Sequence, residues 1–331
     1  MQVHIPEFSK FLSIAKILPD CIIAIDVTPT RITYQAQSSV RLEYTVECKD
    51  NDLDIQFAMP YYKLFECLTD EYTLSLSDDY IKFTKDDSNI IIKKAYDAFV
   101  SVRTPSPNSK QIELTKRSLA KVLSLLSNST NHAKSISSQV ACNITGGRLI
   151  MADSSTFIST PIPLPDCSIS ALSLKLFLKL FYEASEDNII INVEFVDNNL
   201  LISSSKYVVQ IPASKSVSAI PLDLQSGDEQ PLVSMQKTSP IQIKYVDSPR
   251  VFMSTNDGKL YCNILGANSQ CQWLMGVTKF ELASALMLGK NDVDFLSNIF
   301  LKNATLYISK QGHTVIFYSE NKQDVWAING V

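Results

Sequence analysis

The chain has 331 residues, of which 45% are hydrophobic and 19% are charged, and its formal net charge is -4. One hydrophobic core seldom organises so long a chain, so the length predicts two or three domains and excludes a single small module. No stretch approaches the roughly 18 unbroken apolar residues of a membrane-spanning helix, and Met1 to Lys10 lacks the pattern of a signal peptide. We therefore expect a soluble, cytoplasmic protein that does not bind a membrane.

Residues that carry catalysis or bind metals form no recognisable motif. The seven cysteines contain no CxxC pair, and the three histidines (His4, His132 and His313) have no partnering nucleophile or carboxylate motif nearby. The nine glycines build neither a GxxxxGK[ST] nor a GxGxxG loop. The sequence therefore predicts no catalytic residue, no metal site and no cofactor, and we expect that the protein is not an enzyme.

Two patterns each recur three times along the chain. In the first pattern, two strands joined by a tight turn are followed by a small-polar bend and a third strand. The strand after the tight turn begins near Arg31, Arg148 and Arg250, and Gly146-Gly147 is typical of such a turn. The three copies cover Cys21 to Val46, Gln139 to Pro163, and Ile241 to Leu265.

The second pattern is an amphipathic helix followed by a strand hairpin. Apolar residues at i, i+3, i+4 and i+7 predict the first two helices, and the capping-box spacing of Thr278 and Glu281 predicts a third from Phe280 to Leu288. The two apolar stripes are Tyr61, Leu64, Phe65 and Leu68, and Leu174, Phe177, Leu178 and Phe181. The predicted hairpins are Tyr72 to Lys85, Asn188 to Ser204, and Ile299 to Ser309 leading into Thr314 to Tyr318.

A further helix precedes the first pattern in copies one and two, at Phe8 to Leu18 and at Leu114 to Asn128. In the third copy, Pro231 and several turn formers argue against a full helix before Pro240. The repeats predict an α+β protein of three tandem domains, each with two helices packed on antiparallel sheets. The predicted domains are residues 1–108, 109–219 and 220–331.

Three local segments add a family resemblance to this repeat. They are LIMADSSTFIS (Leu149 to Ser159), IPASKSVSAIP (Ile211 to Pro221) and MGVTKFELASAL (Met275 to Leu286). In this order, within three tandem units, they resemble the DNA polymerase sliding clamp family in its bacterial, three-domain form. The chain departs from the family pattern at Ser155-Thr156 and in its ending, Val325 to Val331. These departures indicate a divergent set of partners, such as those of a phage or virus, in which case the protein would act in the host cytoplasm.

The resemblance implies a DNA-clamp fold that forms a ring, with helices lining a central hole and sheets forming an outer wall. Two chains would close it head to tail as a homodimer around double-stranded DNA, with DNA polymerase and a clamp loader as partners. The net negative charge excludes nucleic-acid binding by the whole surface but allows a basic lining that attracts phosphates without sequence preference. The expected DNA-facing residues are Lys10, Lys16, Lys63, Lys116, Arg117, Lys121, Lys175, Lys179 and Lys279.

The resemblance also implies an apolar groove that captures short peptides from polymerases and the loader. Its expected residues are Ala152, Ser154, Phe157, Ala219, Ile220, Pro221, Trp326, Ala327 and Ile328. Three other functions stay open from the sequence. They are a clamp-like accessory protein acting in transcription or repair, a DNA-binding protein of the same fold that does not encircle DNA, and a β-rich virion or scaffold protein.

Overall fold

Antiparallel strands make up most of the part of the chain that the structure describes, with short helices between them. The computed structural model describes residues 2–16, 18, 20–48, 54–61, 72–94, 100–120, 122–123, 141–152, 156–182, 188–215, 230–232, 250–288, 306–311, 314–319 and 325–329. The chain divides into two compact units, Met1–Ala120 with Leu172–Lys215, and Lys121–Ala171 with Ser216–Val331. Each unit contains one eight-stranded and one four-stranded sheet.

The helices and strands are numbered here in the order in which they occur along the chain. The described helices are α1 (Phe8–Ala15), α2 (residues 116–120 and 122–123) and α3 (Ala171–Tyr182). The strands up to residue 120 are β1 (Gln2–His4), β2 (Ile22–Val27), β3 (Arg31–Gln37), β4 (Arg41–Glu47), β5 (Ile55–Pro60), β6 (Thr73–Leu76), β7 (Tyr80–Lys85), β8 (Ser88–Lys93) and β9 (Lys110–Thr115).

The remaining strands continue this numbering to the end of the chain. They are β10 (Ala141–Thr145), β11 (Arg148–Ala152), β12 (Thr156–Pro161), β13 (Cys167–Ser170), β14 (Asn188–Val196), β15 (Asn199–Ser203), β16 (Tyr207–Pro212), β17 (Gln230–Leu232), β18 (Arg250–Asn256), β19 (Lys259–Leu265), β20 (Gln270–Val277), β21 (Leu286–Leu288), β22 (Leu306–Gln311), β23 (Thr314–Ser319) and β24 (Val325–Asn329).

The sheet order repeats with a period of eight strands. The first unit contains the sheets β5-β2-β3-β4-β16-β15-β14-β9 and β1-β6-β7-β8, and the second contains β13-β10-β11-β12-β24-β23-β22-β17 and β20-β19-β18-β21. In each repeat, four strands that follow one another in the sequence are also neighbours in one sheet. These sets are β2–β5, β10–β13 and β18–β21. We call these the consecutive quartets. The split quartets combine one earlier strand with three later ones: β1 with β6–β8, β9 with β14–β16, and β17 with β22–β24.

Each eight-stranded sheet joins a consecutive quartet to the split quartet of the next repeat. β4 pairs with β16 from Tyr44↔Tyr207 to Arg41↔Gln210, and β12 pairs with β24 in the same way. We call these two strand pairs the joints. Because backbone hydrogen bonds run through both joints, the compact units cut across the boundaries that the sequence predicts at residues 109 and 220.

Aromatic rings fill the core of the first unit beneath α1. The apolar stripe of α1 places Phe8 and Phe11 against Tyr34, with ring centroids 5.3 and 5.4 Å apart, and Phe8 lies 6.0 Å from Phe83. The Tyr34 hydroxyl donates a hydrogen bond of 2.6 Å to the carbonyl oxygen of Pro6. The helix predicted from Phe8 to Leu18 is therefore confirmed, although its helical part ends at Ala15.

Other predicted elements are confirmed in the described residues. The strands of the first pattern form in copies one and two, and α3 buries the predicted stripe of Leu174, Phe177, Leu178 and Phe181. The hairpins at Tyr72 to Lys85 and at Asn188 to Ser204 are present. Gly146 and Gly147 have φ of 57° and 73°, which suits a tight hairpin turn between β10 and β11. The helix predicted around Tyr61 to Leu68 lies mostly outside the described residues, as does the segment between Pro221 and Pro240.

The helix predicted from Leu114 begins later than expected. Residues 110–115 form β9, which buries Ile112 and Leu114 on alternate positions and pairs with β14. The Thr115 hydroxyl oxygen then accepts a hydrogen bond of 3.2 Å from the backbone N–H of Ser118, which is the geometry of a helix N-cap. Helix α2 therefore starts at residue 116, and residues 124–128 of the prediction lie outside the described chain.

The helix predicted from Phe280 to Leu288 is wrong. The Thr278 hydroxyl donates to the carbonyl oxygen of Phe280 at 2.8 Å, so it does not act as a helix cap. The backbone N–H of Leu282 bonds to the Thr255 hydroxyl at 2.7 Å, whereas a helix would direct it to the carbonyl of Thr278. The segment is a bend that leads into β21, where Leu286 and Leu288 are buried and Met287 is exposed, as in a strand.

The third copy of the first pattern is also displaced by one strand. Arg31 and Arg148 begin the second strand of a consecutive quartet, but Arg250 begins β18, the first strand of its quartet. The tight turn of this copy is Asp257-Gly258, with φ of 49° and 71°. The strand predicted from Ile241 lies outside the described residues.

Tyr207 tests whether ring packing holds the joint between β4 and β16. Its ring stacks on Tyr44 with centroids 4.6 Å apart and lies 6.3 Å from Phe181. Tyr207→Ala should lower the free energy of unfolding by about 3 kcal/mol, whereas Tyr207→Phe should lower it by less than about 1 kcal/mol. Urea unfolding followed by circular dichroism measures both variants. Equal losses in the two variants would show that the ring is not the source of the stability.

Candidate functional site

The described titratable groups do not form a reactive centre. No group of three or more His, Cys, Asp or Glu within the described ranges could hold a metal ion. Burial raises the pKa of the Cys21 thiol to about 11 and the pKa values of Cys142, Cys167 and Cys262 to about 12. These thiols stay protonated at neutral pH and are poor nucleophiles. In the same part of the chain, no helix is long and apolar enough to cross a membrane.

Helix α1 presents two of the predicted DNA-facing lysines in different settings. Lys16 is exposed at the C-terminal end of the helix. Lys10 is only partly exposed, because its ammonium lies 3.6 Å from the Glu7 carboxylate and 6.0 Å from the centroid of the Tyr44 ring. Lys16 is therefore better placed than Lys10 to attract a phosphate in solvent.

Helix α3 carries its two predicted lysines on a stripe that also contains apolar residues. Leu172, Lys175, Lys179 and Tyr182 are spaced i, i+3, i+7 and i+10, which brings them onto one side of the helix. Leu172 and Tyr182 are exposed and the two lysines are half-buried. The helix contains no acidic residue, so its exposed stripe is positively charged.

The other predicted DNA-facing residues lie on α2, on the bend after β20, or outside the described residues. Arg117 is exposed and Lys116 half-buried on α2. Lys279 is exposed, but it lies on the bend after β20 and not on a helix, which corrects its predicted setting. Lys63 and Lys121 are outside the described residues.

A charged cluster that the sequence does not reveal lies at the joint between β4 and β16. Glu7 has a φ of 55° and precedes α1, and its carboxylate accepts a hydrogen bond from the Tyr44 hydroxyl. The Lys206 ammonium lies 3.4 Å from the same carboxylate. Burial alone would raise the pKa of Glu7, but the Tyr44 hydrogen bond and the charges of Lys206 and Lys10 outweigh it, so that the pKa lies below 4.5. The cluster ties the start of α1 to the joint.

The predicted peptide groove falls partly on the joint between β12 and β24. Ala152 lies opposite Phe157 across β11 and β12, and Phe157 lies opposite Ala327 across the joint. In the same joint, Trp326 and Ile328 lie opposite Ile158 and Thr156. The structure therefore brings five of the predicted groove residues onto three neighbouring strands, and it buries Phe157. Ser154, Ala219, Ile220 and Pro221 lie outside the described residues.

Solved structures share the fold of this chain over its full length. The β clamp of Helicobacter pylori in complex with carprofen matches with a TM-score of 0.72 and 11% identity, covering 100% of both chains. The DNA polymerase III β subunit of Thermotoga maritima matches with a TM-score of 0.71 and 14% identity, covering 100% of this chain and 98% of that one. The chain has the β-clamp fold. No family model matches the sequence, and no curated protein matches it either.

A third similar structure contains a bound peptide. The Helicobacter pylori β clamp bound to a DNA ligase peptide matches with a TM-score of 0.69 and 11% identity, covering 100% of this chain and 99% of that one. That β clamp therefore binds a peptide of DNA ligase. At such low identity, the likeness to all three structures concerns the fold.

The Glu7 cluster could not be predicted from the sequence, because its contacts join residues that are far apart along the chain. Tyr44 is 37 residues and Lys206 is 199 residues from Glu7. Glu7 precedes the apolar stripe of α1, but helix caps are usually Ser, Thr, Asp or Asn, and Glu is not a typical cap. No periodic pattern marks the cluster.

Glu7→Gln tests the cluster through the pH dependence of stability. The variant should be about 1 kcal/mol less stable at pH 7, because it removes the charge that Tyr44 and the two lysines stabilise. The lowered pKa of Glu7 means that this stabilisation is complete above pH 4.5 and is lost as the pH falls through the lowered value. The two unfolding curves should therefore converge in acid.

The matched control is Glu113→Gln, on the exposed face of β9. It should leave the free energy of unfolding within about 0.5 kcal/mol of the wild type at pH 7. A gap between Glu7→Gln and wild type that persists at pH 3, or an equal loss in the control, would contradict the role assigned to Glu7.

Proposed function

We propose that the protein is a DNA sliding clamp, a processivity factor that encircles duplex DNA and tethers a replicative DNA polymerase. The observation that carries this proposal is the full-length β-clamp fold, with its eight-strand repeat and its two joints. We expect three tandem domains, residues 1–108, 109–219 and 220–331, one for each period of that repeat. A homodimer would supply six domains to the ring, and a clamp loader would open it.

Encirclement explains how such a protein holds DNA without tight contacts. A closed ring cannot dissociate when any one contact breaks, so weak attraction to phosphates is sufficient. Helix α3 contains two lysines and no acidic residue, and the exposed Lys16 follows α1, although the whole chain is acidic. Lysine suits a sliding contact because its mobile point charge lacks the bidentate grip of arginine. The residues proposed to face the DNA remain those predicted from the sequence.

The proposal involves binding and no chemistry. The strands β11, β12 and β24 supply the described part of a groove for peptides of the polymerase and the loader. The departures at Ser155-Thr156 and in the chain ending support partners that differ from those of the bacterial clamps, as in a phage or virus.

Topology-dependent retention tests the ring. Multi-angle light scattering should give the mass of two chains, and protein loaded on nicked circular DNA should stay bound in high salt until the DNA is linearised. Linearisation should release most of the protein, because it can then slide off the ends. A protein that remains monomeric, or that dissociates equally from circular and linear DNA, would contradict the proposal.

Charge reversal on α3 tests the DNA-facing surface. Lys175→Glu with Lys179→Glu should weaken binding to duplex DNA about tenfold or more and reduce the slope of log K against log salt by roughly 2. The control is Lys110→Glu with Lys259→Glu, which makes the same charge change on exposed strand positions. If both pairs weaken binding equally, α3 does not face the DNA.

A further inference from the structure

One face of the sheet β20-β19-β18-β21 exposes apolar side chains to solvent. Its strands alternate between a buried face, which includes Val251, Met253 and Cys262, and the opposite face, which we call the open face. The apolar residues of the open face are Phe252, Tyr261, Leu265, Leu274, Val277 and Met287. The last four are among the ten large hydrophobic residues that are exposed in the described part of the chain. Such a patch marks a surface that contacts another molecule.

The open face is positively charged, although the whole chain is acidic. Its strand positions include Arg250 and Lys259, which are both exposed, and no acidic residue. Within residues 250–288 the only acids are Asp257 and Glu281, and both lie outside the strands. The two cations lie at opposite ends of the face, because Arg250 begins β18 and Lys259 lies opposite Asn256, the last residue of β18.

The matching faces of the other consecutive quartets differ from the open face. In β2–β5 the face includes the acids Asp26, Glu43 and Glu47, and Ile22 is its only exposed large hydrophobic residue among those described. In β10–β13 none of the described residues is an exposed large hydrophobic one. The exposed apolar patch therefore belongs to the third quartet and does not follow from the repeat.

A chain of side-chain hydrogen bonds crosses the open face. The Gln272 amide donates to the Asn263 carbonyl oxygen at 3.0 Å, and the Asn263 amide donates to the Ser254 hydroxyl oxygen at 2.7 Å. These bonds satisfy polar groups within the sheet. Covering the face therefore costs less than covering amides that only water satisfies.

We propose that the open face binds an extended protein segment that is apolar in the middle and acidic at both ends. Arg250 and Asn256 are six positions apart on β18, so that the two cations are separated by about 20 Å, the length of roughly seven extended residues. The segment's carboxylates would lie beside Arg250 and Lys259, and its apolar side chains beside Phe252 and Met287. The face belongs to a different sheet from β11, β12 and β24, so this partner is additional to the peptides of the proposed groove.

Charge and hydrogen bonding favour this occupant over a second copy or a membrane. Two copies that met through their open faces would bring Arg250 and Lys259 against the same cations, with no acid to pair them. A bilayer offers anionic head groups, but its hydrocarbon cannot bond the amides of Gln272 and Asn263. A peptide offers carboxylates to the cations and backbone N–H and C=O groups to the amides.

Selection from a random peptide library displayed on phage tests the chemistry of the partner. The immobilised wild-type protein is panned in the presence of excess soluble Met287→Asp variant, which removes peptides that bind elsewhere, including the proposed groove. The enriched sequences should contain apolar residues flanked on both sides by Asp or Glu. Enrichment of sequences flanked by Lys or Arg, or no enrichment that depends on Met287, would overturn the proposal.

A matched pair of variants tests whether the patch itself binds the segment. Fluorescence anisotropy with an enriched, labelled peptide should show the Kd rise about tenfold or more in Met287→Asp. The control is Ile190→Asp on β14, because Met287 and Ile190 are 60% and 59% exposed and the same charge is introduced. The Kd of the control should stay within about twofold of the wild type. Circular dichroism checks folding, and Val277→Asp replaces Met287→Asp if that variant does not fold.

A charge swap tests the end of the face that carries Arg250. Arg250→Glu should weaken binding of the acidic peptide by about fivefold. Two further peptides carry Lys in place of the acids at one end or the other, and one of them should bind Arg250→Glu more tightly than it binds the wild type. A role of Arg250 in stability alone would give no such rescue. Unchanged binding by Arg250→Glu, or the absence of rescue, would contradict the charge pairing.

Lipid and self-association measurements address the other occupants. If phosphatidylglycerol vesicles bind the wild type but not Met287→Asp, and no peptide does so, the face binds membranes and the proposal is overturned. If light scattering shows association beyond a dimer that Met287→Asp abolishes, the face joins copies of the chain and the proposal is likewise overturned. A wild type that is monomeric would contradict the proposed ring and leave the peptide experiments unaffected.

Discussion

Backbone hydrogen bonding across strand edges is the constraint on which the rest of the structure depends. A strand at the end of a sheet has a row of N–H and C=O groups that only water or another strand can satisfy. In this chain, β4 and β12 meet that need by pairing with β16 and β24 of the next repeat. The repeats are therefore joined by the same interaction that builds each sheet, and the core packing follows from it.

The joint between β4 and β16 shows how side chains reinforce this pairing. Tyr44 contributes its ring to the stack with Tyr207 and its hydroxyl to Glu7. Glu7 in turn precedes α1, whose apolar stripe packs on Tyr34. Tyr44 thus connects the sheet, the aromatic core and helix α1, which Lys16 follows.

The distribution of charge follows from the same architecture. The net charge of -4 by itself argues against nucleic acid, but α3 contains two lysines and no acid, and the exposed Lys16 follows α1. Acidic residues that the structure describes, such as Asp197 and Glu194, instead bond to Arg103 and Ser106 of the segment that leads into β9. The acidity of the whole chain and a basic helical surface are therefore compatible.

Much of the fold can be predicted from local patterns. The stripe of Leu174, Phe177, Leu178 and Phe181 predicts α3, and Gly146-Gly147 predicts the turn between β10 and β11. The local pattern gives a wrong prediction where a hydrogen bond to a residue far along the chain replaces a hydrogen bond within a helix. The spacing of Thr278 and Glu281 suits a helix start, but Thr255, from another strand, bonds the N–H of Leu282. The joints and the Glu7 cluster leave no local pattern, because their residues come from different repeats.

Electron cryomicroscopy of the unmodified protein in solution tests the central claim most directly. The account predicts a closed ring of two chains around a central hole. A single chain at every concentration would contradict it. An assembly that encloses no hole would contradict it equally.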